Sequence, residues 1–406
     1  MKRRVAPILL LLTALTGACL DPIRSAPTDA CEEDTEECPE PDSEPRGVAE
    51  KVTVGRQHAC ALLESGGVRC WGGTGLVGDG TRALRASAVA VKGLSTGVLG
   101  ISAGADHTCA VLEGGTVRCW GDNTSGQLGQ ASLSSSLEPL DVGGVGSNVL
   151  TVASGEAHTC ALHAGGQVTC WGDNSRLQLG ASEVSERSYT PVEVRGLPAN
   201  LTVLAAGAYH TCAATTAGEA WCWGDNAYGE LGDGLAGVGL KSPPVRARSL
   251  ALPVRALTAG KGHTCARVGD GAVECWGFNA SGALGDDTAL DSTVPVRPVG
   301  LTADMRQVRA GTGFTCALSA EGRVRCWGLN EAGQLGDGTR VHRAAPVDVS
   351  GLANEVVDLG TGVTSTCTVL RDGRVQCWGA NAAGQLGDGT QTERAGPVEV
   401  QGLEAP

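Results

Sequence analysis

Five histidines each stand two residues before a cysteine: His58, His107, His158, His210 and His263 precede Cys60, Cys109, Cys160, Cys212 and Cys265. A second cysteine follows each of these in the unit Cys-x9-Cys-Trp-Gly. Two chemistries fit such a set. One imidazole and two thiolates are zinc donors; alternatively the two sulfurs pair. In two further units Phe314 and Ser365 replace the histidine while both cysteines remain. Sulfur pairing therefore explains the pattern, and neither a metal nor a cofactor is expected. As general bases the histidines are equally poor candidates, because a catalytic residue is unique and these recur at one position. They read as structural groups, hydrogen-bonded within each unit. No Gly-rich phosphate loop opening a helix and no Gly-x-Ser-x-Gly elbow occurs. The Asp-Gly-Thr segments at Asp79, Asp337 and Asp388 carry turn chemistry rather than a calcium loop.

The full set of pairs is Cys60 with Cys70, Cys109 with Cys119, Cys160 with Cys170, Cys212 with Cys222, Cys265 with Cys275, Cys316 with Cys326 and Cys367 with Cys377. Successive units start 49, 51, 52, 53, 51 and 51 residues apart, and seven of them fill residues 51–406 without a gap. The third unit shows four strands. Leu150–Ala153 is the first, His158–Leu162 the second and Gln167–Trp171 the third, after the turn Ala164-Gly165-Gly166. Pro191–Val194, beyond a long loop, is the fourth. Four-stranded units repeated seven times describe an all-β, seven-bladed β-propeller. With 61 glycines and only 3% aromatics, its core must rest on Val, Leu, Ala and close backbone approach. Trp71, Trp120, Trp171, Trp223, Trp276, Trp327 and Trp378 are assigned to blade packing rather than to sugar binding. The two ends should close the ring, with Pro397–Val400 completing the blade that holds Cys60 and Cys70, so that no sheet edge stays open.

Hairpin geometry supports one disulfide in each blade. Pairing Cys60 with Cys70 also pairs Leu62 with Val68, and all four side chains share one face. Cα atoms opposed across antiparallel strands lie at about the separation a disulfide spans. The closed loop is small, so each bridge contributes roughly 2–3 kcal/mol at most in the chain-entropy treatment. Fourteen of the 17 cysteines are used, leaving Cys31 and Cys38, which could pair, and Cys19.

Cys19 ends a segment built for export. Lys2, Arg3 and Arg4 precede an apolar run from Ile8 to Leu15, and then Thr16-Gly17-Ala18 leads to the cysteine. Residues 1–18 read as a signal peptide, too short for a membrane helix. It resembles a bacterial lipoprotein signal, which implies lipid on Cys19, although Thr16 stands where that family has an aliphatic residue; simple cleavage after Ala18 is the alternative. Residues 19–50 hold eleven acidic residues against Arg24 and Arg46, with five prolines, and read as a disordered tether. Glu32, Glu33, Asp34, Glu36 and Glu37 could bind calcium weakly, but a self-repelling spacer accounts for them. Losing residues 1–18 takes the formal net charge from −13 to −16, which argues against nucleic acid and against anionic lipid as partners. The expected site of action is the cell envelope, on a lipid anchor at the outer membrane or cell surface, or otherwise secreted or periplasmic.

The pattern Gly-x-x-His-Thr-x-Ala, then Val-x-x-Trp-Gly-x-Asn-x-x-Gly-Gln-Leu-Gly, resembles the regulator of chromosome condensation repeat. The second unit carries it as Gly104, His107, Thr108, Ala110, Val117, Trp120, Gly121, Asn123 and Gly126-Gln127-Leu128-Gly129. Units six and seven keep Asn330 with Gly333 to Gly338, and Asn381 with Gly384 to Gly389; unit one is two residues short after Gly72 and lacks the Asn. The resemblance implies a seven-bladed ring. Its nuclear members exchange guanine nucleotide on a GTPase and bind chromatin, and an exported chain meets neither. A secreted β-lactamase inhibitor on the same repeats implies that such a ring can bind proteins.

The expected function is therefore non-catalytic: a monomeric ring that binds a protein or glycan of the envelope. Nucleotide exchange is one alternative. A hydrolase or lyase acting in the central channel is another, and would require a lone cluster of unlike polar groups there. Loops after the first and third strands of each blade should share one face, which is also the most varied. The aromatics outside the Trp set gather there, so Tyr189, Tyr209, Tyr228 and Phe278, with Arg187, are the candidate partner contacts in blades three to five. The competing expectation is that Tyr228 and Phe278 pack under their own loops.

Overall fold

A computed structural model describes residues 47–237, 240–352 and 355–403. The export segment, Cys19, Cys31, Cys38 and residues 19–46 of the expected tether lie outside the described residues. Within them are 28 strands in seven antiparallel four-stranded sheets, each sheet made of four consecutive strands. The first strand begins at Ala49, so the last two residues assigned to the tether belong to blade one.

Burial explains why each strand has its composition. A blade's second strand lies between two neighbouring blades, and His158–His163 is buried at every position. It consequently reads His-Thr-Cys-Ala-Leu-His, with no polar alternation. The fourth strand is the outer edge, and Arg187–Glu193 is nowhere fully buried. The core is divided into seven clusters, one at each blade interface. In one of them Cys60, Leu62, Val68 and Cys70 of blade one meet Ala110 and Trp120 of blade two.

Each cysteine faces its partner across the second and third strands, as in the register Cys160↔Cys170. All seven expected disulfides are present. Cys60 is bonded to Cys70, Cys109 to Cys119, Cys160 to Cys170 and Cys212 to Cys222. Cys265 is bonded to Cys275, Cys316 to Cys326 and Cys367 to Cys377. Their Cα–Cα separations are 4.0 to 4.1 Å, so a directly opposed strand pair accommodates every bridge. The seven tryptophans that follow the second cysteine of each unit are fully buried, and each of their indole N–H groups donates to a carbonyl of the preceding blade, from Trp120 to Leu76 at 3.1 Å through Trp378 to Gln334 at 2.9 Å.

The expected closure differs from the structure. Arg394–Glu399 pairs within its own blade, Cys377↔Val398, and the blade with Cys60 and Cys70 takes Arg85–Ala90 as its fourth strand. Every repeat contains its four strands in order, so the ends meet as whole blades. The seam keeps the tryptophan bond and the apolar cluster of the other interfaces: Trp71 Nε1 donates to Gln385 O at 2.9 Å, and one cluster joins Cys367, Val369 and Leu386 to Val52, Ala59 and Trp71.

Each first strand pairs only with the second strand of its own blade and has no ladder partner on its channel side, where side chains stitch neighbouring first strands together. Ala103 N donates to Thr53 Oγ1 at 2.8 Å, Ala310 N to Thr258 Oγ1 at 2.9 Å, and Val52 N to Asp358 Oδ2 at 2.8 Å. Above them the glycines before the short loops approach closely: a Cβ on Gly104 would lie 2.4 Å from Gly155 O and 2.2 Å from His107 Cε1. Only glycine fits there.

Candidate functional site

Two loop types open on one face. Asp225 N, after the third strand of blade four, donates to Tyr209 O in that blade's short loop at 2.9 Å; Phe278 N does the same to Gly262 O at 2.7 Å in blade five. Between these loops lies a cavity of 640 Å³. Its walls include Tyr209, Tyr228, Phe278 and Leu329, its acidic groups are Asp225 and Glu230, and Arg176 and Lys261 stand at its rim.

The Tyr228 and Phe278 rings come from adjacent blades and meet edge to face, with centroids 4.9 Å apart. Gly262 lies under both, where a Cβ would be 3.2 Å from Tyr228 Cδ2 and 3.3 Å from Phe278 Cβ. The pair thus packs between blades rather than beneath separate loops, and Tyr228 stays 43% exposed. Tyr209, half-buried, has its phenol pushed up, first by burial and then by Glu156 and Asp173.

Tyr189 and Arg187 are elsewhere. The fourth strand of blade three reaches back to Arg187, past a register shift between Cys170 and Gly172. Arg187 Nη1 there donates to Thr124 O of blade two at 2.9 Å, and a Cβ on Gly126 would meet Tyr189 Cδ1 at 3.0 Å. The two side chains brace the preceding blade's long loop; they do not line the cavity.

Sequence reading missed Glu230. Only 1% exposed, it accepts the Tyr228 N–H at 2.8 Å through Oε2, and among the described residues no side chain donates to it. Burial pushes its carboxyl up to about 7, with Asp225 and Asp291 adding repulsion against backbone hydrogen bonds that act the other way. The available signal was Gly229-Glu230-Leu231-Gly232, where four other blades have Gln.

The histidines are structural, as expected, with one correction. Their Nε2 bonds cross to the next blade instead of staying within one: His58 to Thr108 at 2.7 Å, His107 to Thr159 at 2.9 Å, His158 to Thr211 at 2.9 Å, His210 to Thr264 at 2.8 Å and His263 to Thr315 at 2.9 Å. Blade one has Ala59 at the Thr position, and the blade before it has Ser365 instead of His.

The channel, of 470 Å³, does contain unlike polar groups near blades six, seven and one. Asp358 Oδ1 accepts from Gln307 Nε2 at 2.9 Å while its Oδ2 holds Val52 N, and Arg309 Nε donates to Leu359 O at 3.0 Å. These bonds join inner strands. The Asp-Gly-Thr segments close turns: Asp337 Oδ1 accepts from Thr339 N at 2.9 Å and its Oδ2 from Arg343 Nε at 2.9 Å.

Known proteins share this architecture. The RCC1-like domain matches residues 24–299, and the regulator of chromosome condensation (RCC1) repeat matches 305–334, 321–369 and 372–405. The chain is 31% identical over 283 residues to the ultraviolet-B receptor UVR8 of Arabidopsis thaliana, covering 68% of this chain and 64% of the receptor. It is 32% identical over 260 residues to the human E3 ubiquitin-protein ligase HERC2, covering 63% of this chain but 5% of the ligase. The chain thus spans less than two thirds of the length of either relative. Human WBSCR16 superposes with a TM-score of 0.71 at 23% identity, over 79% of this chain and 85% of that one. Prp20p of Saccharomyces cerevisiae, whose crystal structure was described with its binding to Gsp1p and histones, gives 0.69 at 22%, over 77% and 80%. Seven disulfide-pinned blades, the repeat motif recurring along them and the match over two thirds of the sequence lead to one conclusion: the chain belongs to the RCC1-like domain family.

Proposed function

We propose that this ring is an exported, non-catalytic binding module that engages a protein of the cell envelope through its loop face, with the Tyr209, Tyr228 and Phe278 cavity as the anchor point. The observation that carries the reading is the cavity itself: three of the chain's few aromatics outside the seven repeat tryptophans, Tyr209, Tyr228 and Phe278, converge from neighbouring blades on the varied face, and one of them is left open to solvent. Prp20p, with the same fold, was described together with binding to Gsp1p and histones, which supports a protein rather than a glycan as partner. Seven disulfides suit an oxidising compartment, and residues 1–19 supply the export and lipid-anchor pattern.

The test is capture from an envelope fraction by the disulfide-bonded ring. Tyr209→Ala with Phe278→Ala should weaken capture at least tenfold at unchanged melting temperature. Tyr189→Ala should leave it intact. Full capture by the double variant would place the interface on another surface.

A further inference from the structure

The seven blades are controls for one another, and blade four breaks a hydrogen-bond pattern that blades two and three keep. The residue after Trp-Gly is Asp122 in blade two and Asp173 in blade three. Two side chains donate to each. Gln127 Nε2 and Thr124 Oγ1 reach Asp122 Oδ2 at 2.7 Å; Gln178 Nε2 and Ser175 Oγ reach Asp173 Oδ2 at 2.6 and 3.0 Å. Blade four retains the aspartate, Asp225, and loses both donors: Ala227 replaces the hydroxyl residue and Glu230 replaces the glutamine. The Glu230 carboxylate still accepts from Tyr228 N, as the glutamine carbonyls accept from Ser125 N and Arg176 N, but toward Asp225 it offers an acceptor where the others offer N–H. Asp225 Oδ1 accepts from Asn226 N at 3.0 Å, but among the described residues no cationic or N–H group joins the two carboxylates to each other. The rim cations do not fill the gap, since neither Arg176 nor Lys261 forms an ion pair with Asp225 or Glu230 among the described residues. The next two blades carry Phe278 and Leu329 where Asp225 stands, so the opposite wall is apolar.

We propose that this cavity receives a primary ammonium group, the side chain of a lysine presented by the protein partner, between Asp225 and Glu230 and against the Tyr228, Phe278 and Tyr209 rings. The inference rests on the loop-face reading above. An ammonium is a compact charge with three donors, suited to replace an amide N–H and a hydroxyl lost from one spot, whereas a guanidinium is a wide planar fork. Aromatic faces attract such a cation, more strongly when water is excluded.

The probe is the peptide acetyl-Gly-Lys-Gly-amide, titrated into the disulfide-bonded ring at pH 8 by saturation-transfer NMR, with its Nε-acetyl form as the neutral control. The unmodified peptide should bind, and acetylation should weaken binding at least tenfold. Glu230→Gln installs the residue that four other blades hold at this position; it should fold normally and also weaken binding at least tenfold. Equal binding of the acetylated peptide, or full binding by Glu230→Gln, would overturn the ammonium site. So would binding seen only in Lys261→Met, which would mean that Lys261 fills the cavity in the native ring. If envelope capture depends on Tyr209 and Phe278 while the lysyl peptide fails, the loop-face reading stands and the ammonium inference falls. If capture is insensitive to both aromatics, the loop-face reading itself fails.

Discussion

The buried histidines hold their imidazoles neutral. Burial lowers His58, His158 and His263 from 6.5 to about 4, and His107 and His210 to about 3, with repulsion from neighbouring histidines of the ladder contributing to these last two. An unfolded chain takes up protons below pH 6.5 and the folded ring does not. The stability these groups contribute is therefore complete above pH 6.5 and is lost as the pH falls toward 4 and then 3, at roughly 3–5 kcal/mol each for depressions of this size. Chemical denaturation between pH 7 and 4 should show a steep loss of stability. His107→Phe, which copies the residue in blade six, should flatten that dependence by about one proton. An unchanged slope would mean that the ladder does not titrate this way. Glu230 runs in the opposite direction. Its carboxyl is raised from 4.5 to about 7, so the unfolded chain loses this proton first. The stability that the protonated form contributes is complete below pH 4.5 and is lost as the pH rises toward 7. Glu230→Gln should remove that opposing slope, leaving the histidine dependence steeper between pH 5 and 7. The same variant distinguishes stability from binding, since it should stabilise the free ring above pH 7 while weakening the lysyl peptide.

Hairpins and loops carry the next layer. Seven disulfides each span only ten residues of sequence, so mass mapping of the oxidised protein should recover Cys60–Cys70 through Cys367–Cys377 and no inter-blade link. Inner strands depend on side-chain stitches instead. Asp358→Ala leaves both Val52 N and the Gln307 amide without their acceptor, and should cost about 1–3 kcal/mol in urea unfolding, with Asp358→Asn milder. The blades and their disulfides were legible in the sequence because spacing alone fixes them: a ten-residue offset across a tight turn puts two cysteines in register. Tyr209, Tyr228 and Phe278 were legible because aromatics are scarce here. Tyr189 was misplaced because a bulge extends its strand back to Arg187, and local residue types give no sign of it. Glu230 stayed hidden for another reason. Its meaning lies in what Asp122 and Asp173 receive from their glutamines, and those bonds become visible only once seven copies of the loop are folded.

Over the whole ring, the seam between blades seven and one is an interface of the same kind as the other six. Residues after the last strand help seal it: Val400 and Leu403 are buried at 4% and 2%, Ala88 N donates to Gln401 O at 2.9 Å and Arg69 Nη1 to Gly402 O at 3.4 Å. Ending the chain at Glu399 should therefore lower stability by several kcal/mol, since burying one such aliphatic side chain is worth about 1.5–3 kcal/mol. An unaltered unfolding midpoint would show that the seam does not need these residues. Cys19→Ala belongs to the same scale. On the lipid anchor proposed above, that variant should be recovered in the soluble rather than the membrane fraction, and its retention on membranes would overturn the anchor.

The way the ring closes has a consequence for where a chain of this kind could begin. With no strand shared between the first and last repeats, no blade is marked as the terminal one, and the order of the blades is cyclic. A circular permutant opened in the exposed turn at Gly93, its former ends joined by a flexible linker, would keep every disulfide inside one blade and every Trp-to-carbonyl bond between neighbours. It should fold to a ring of similar melting temperature. By the same logic, the position of the break is free to follow whatever the chain must be attached to, and the fold does not dictate it.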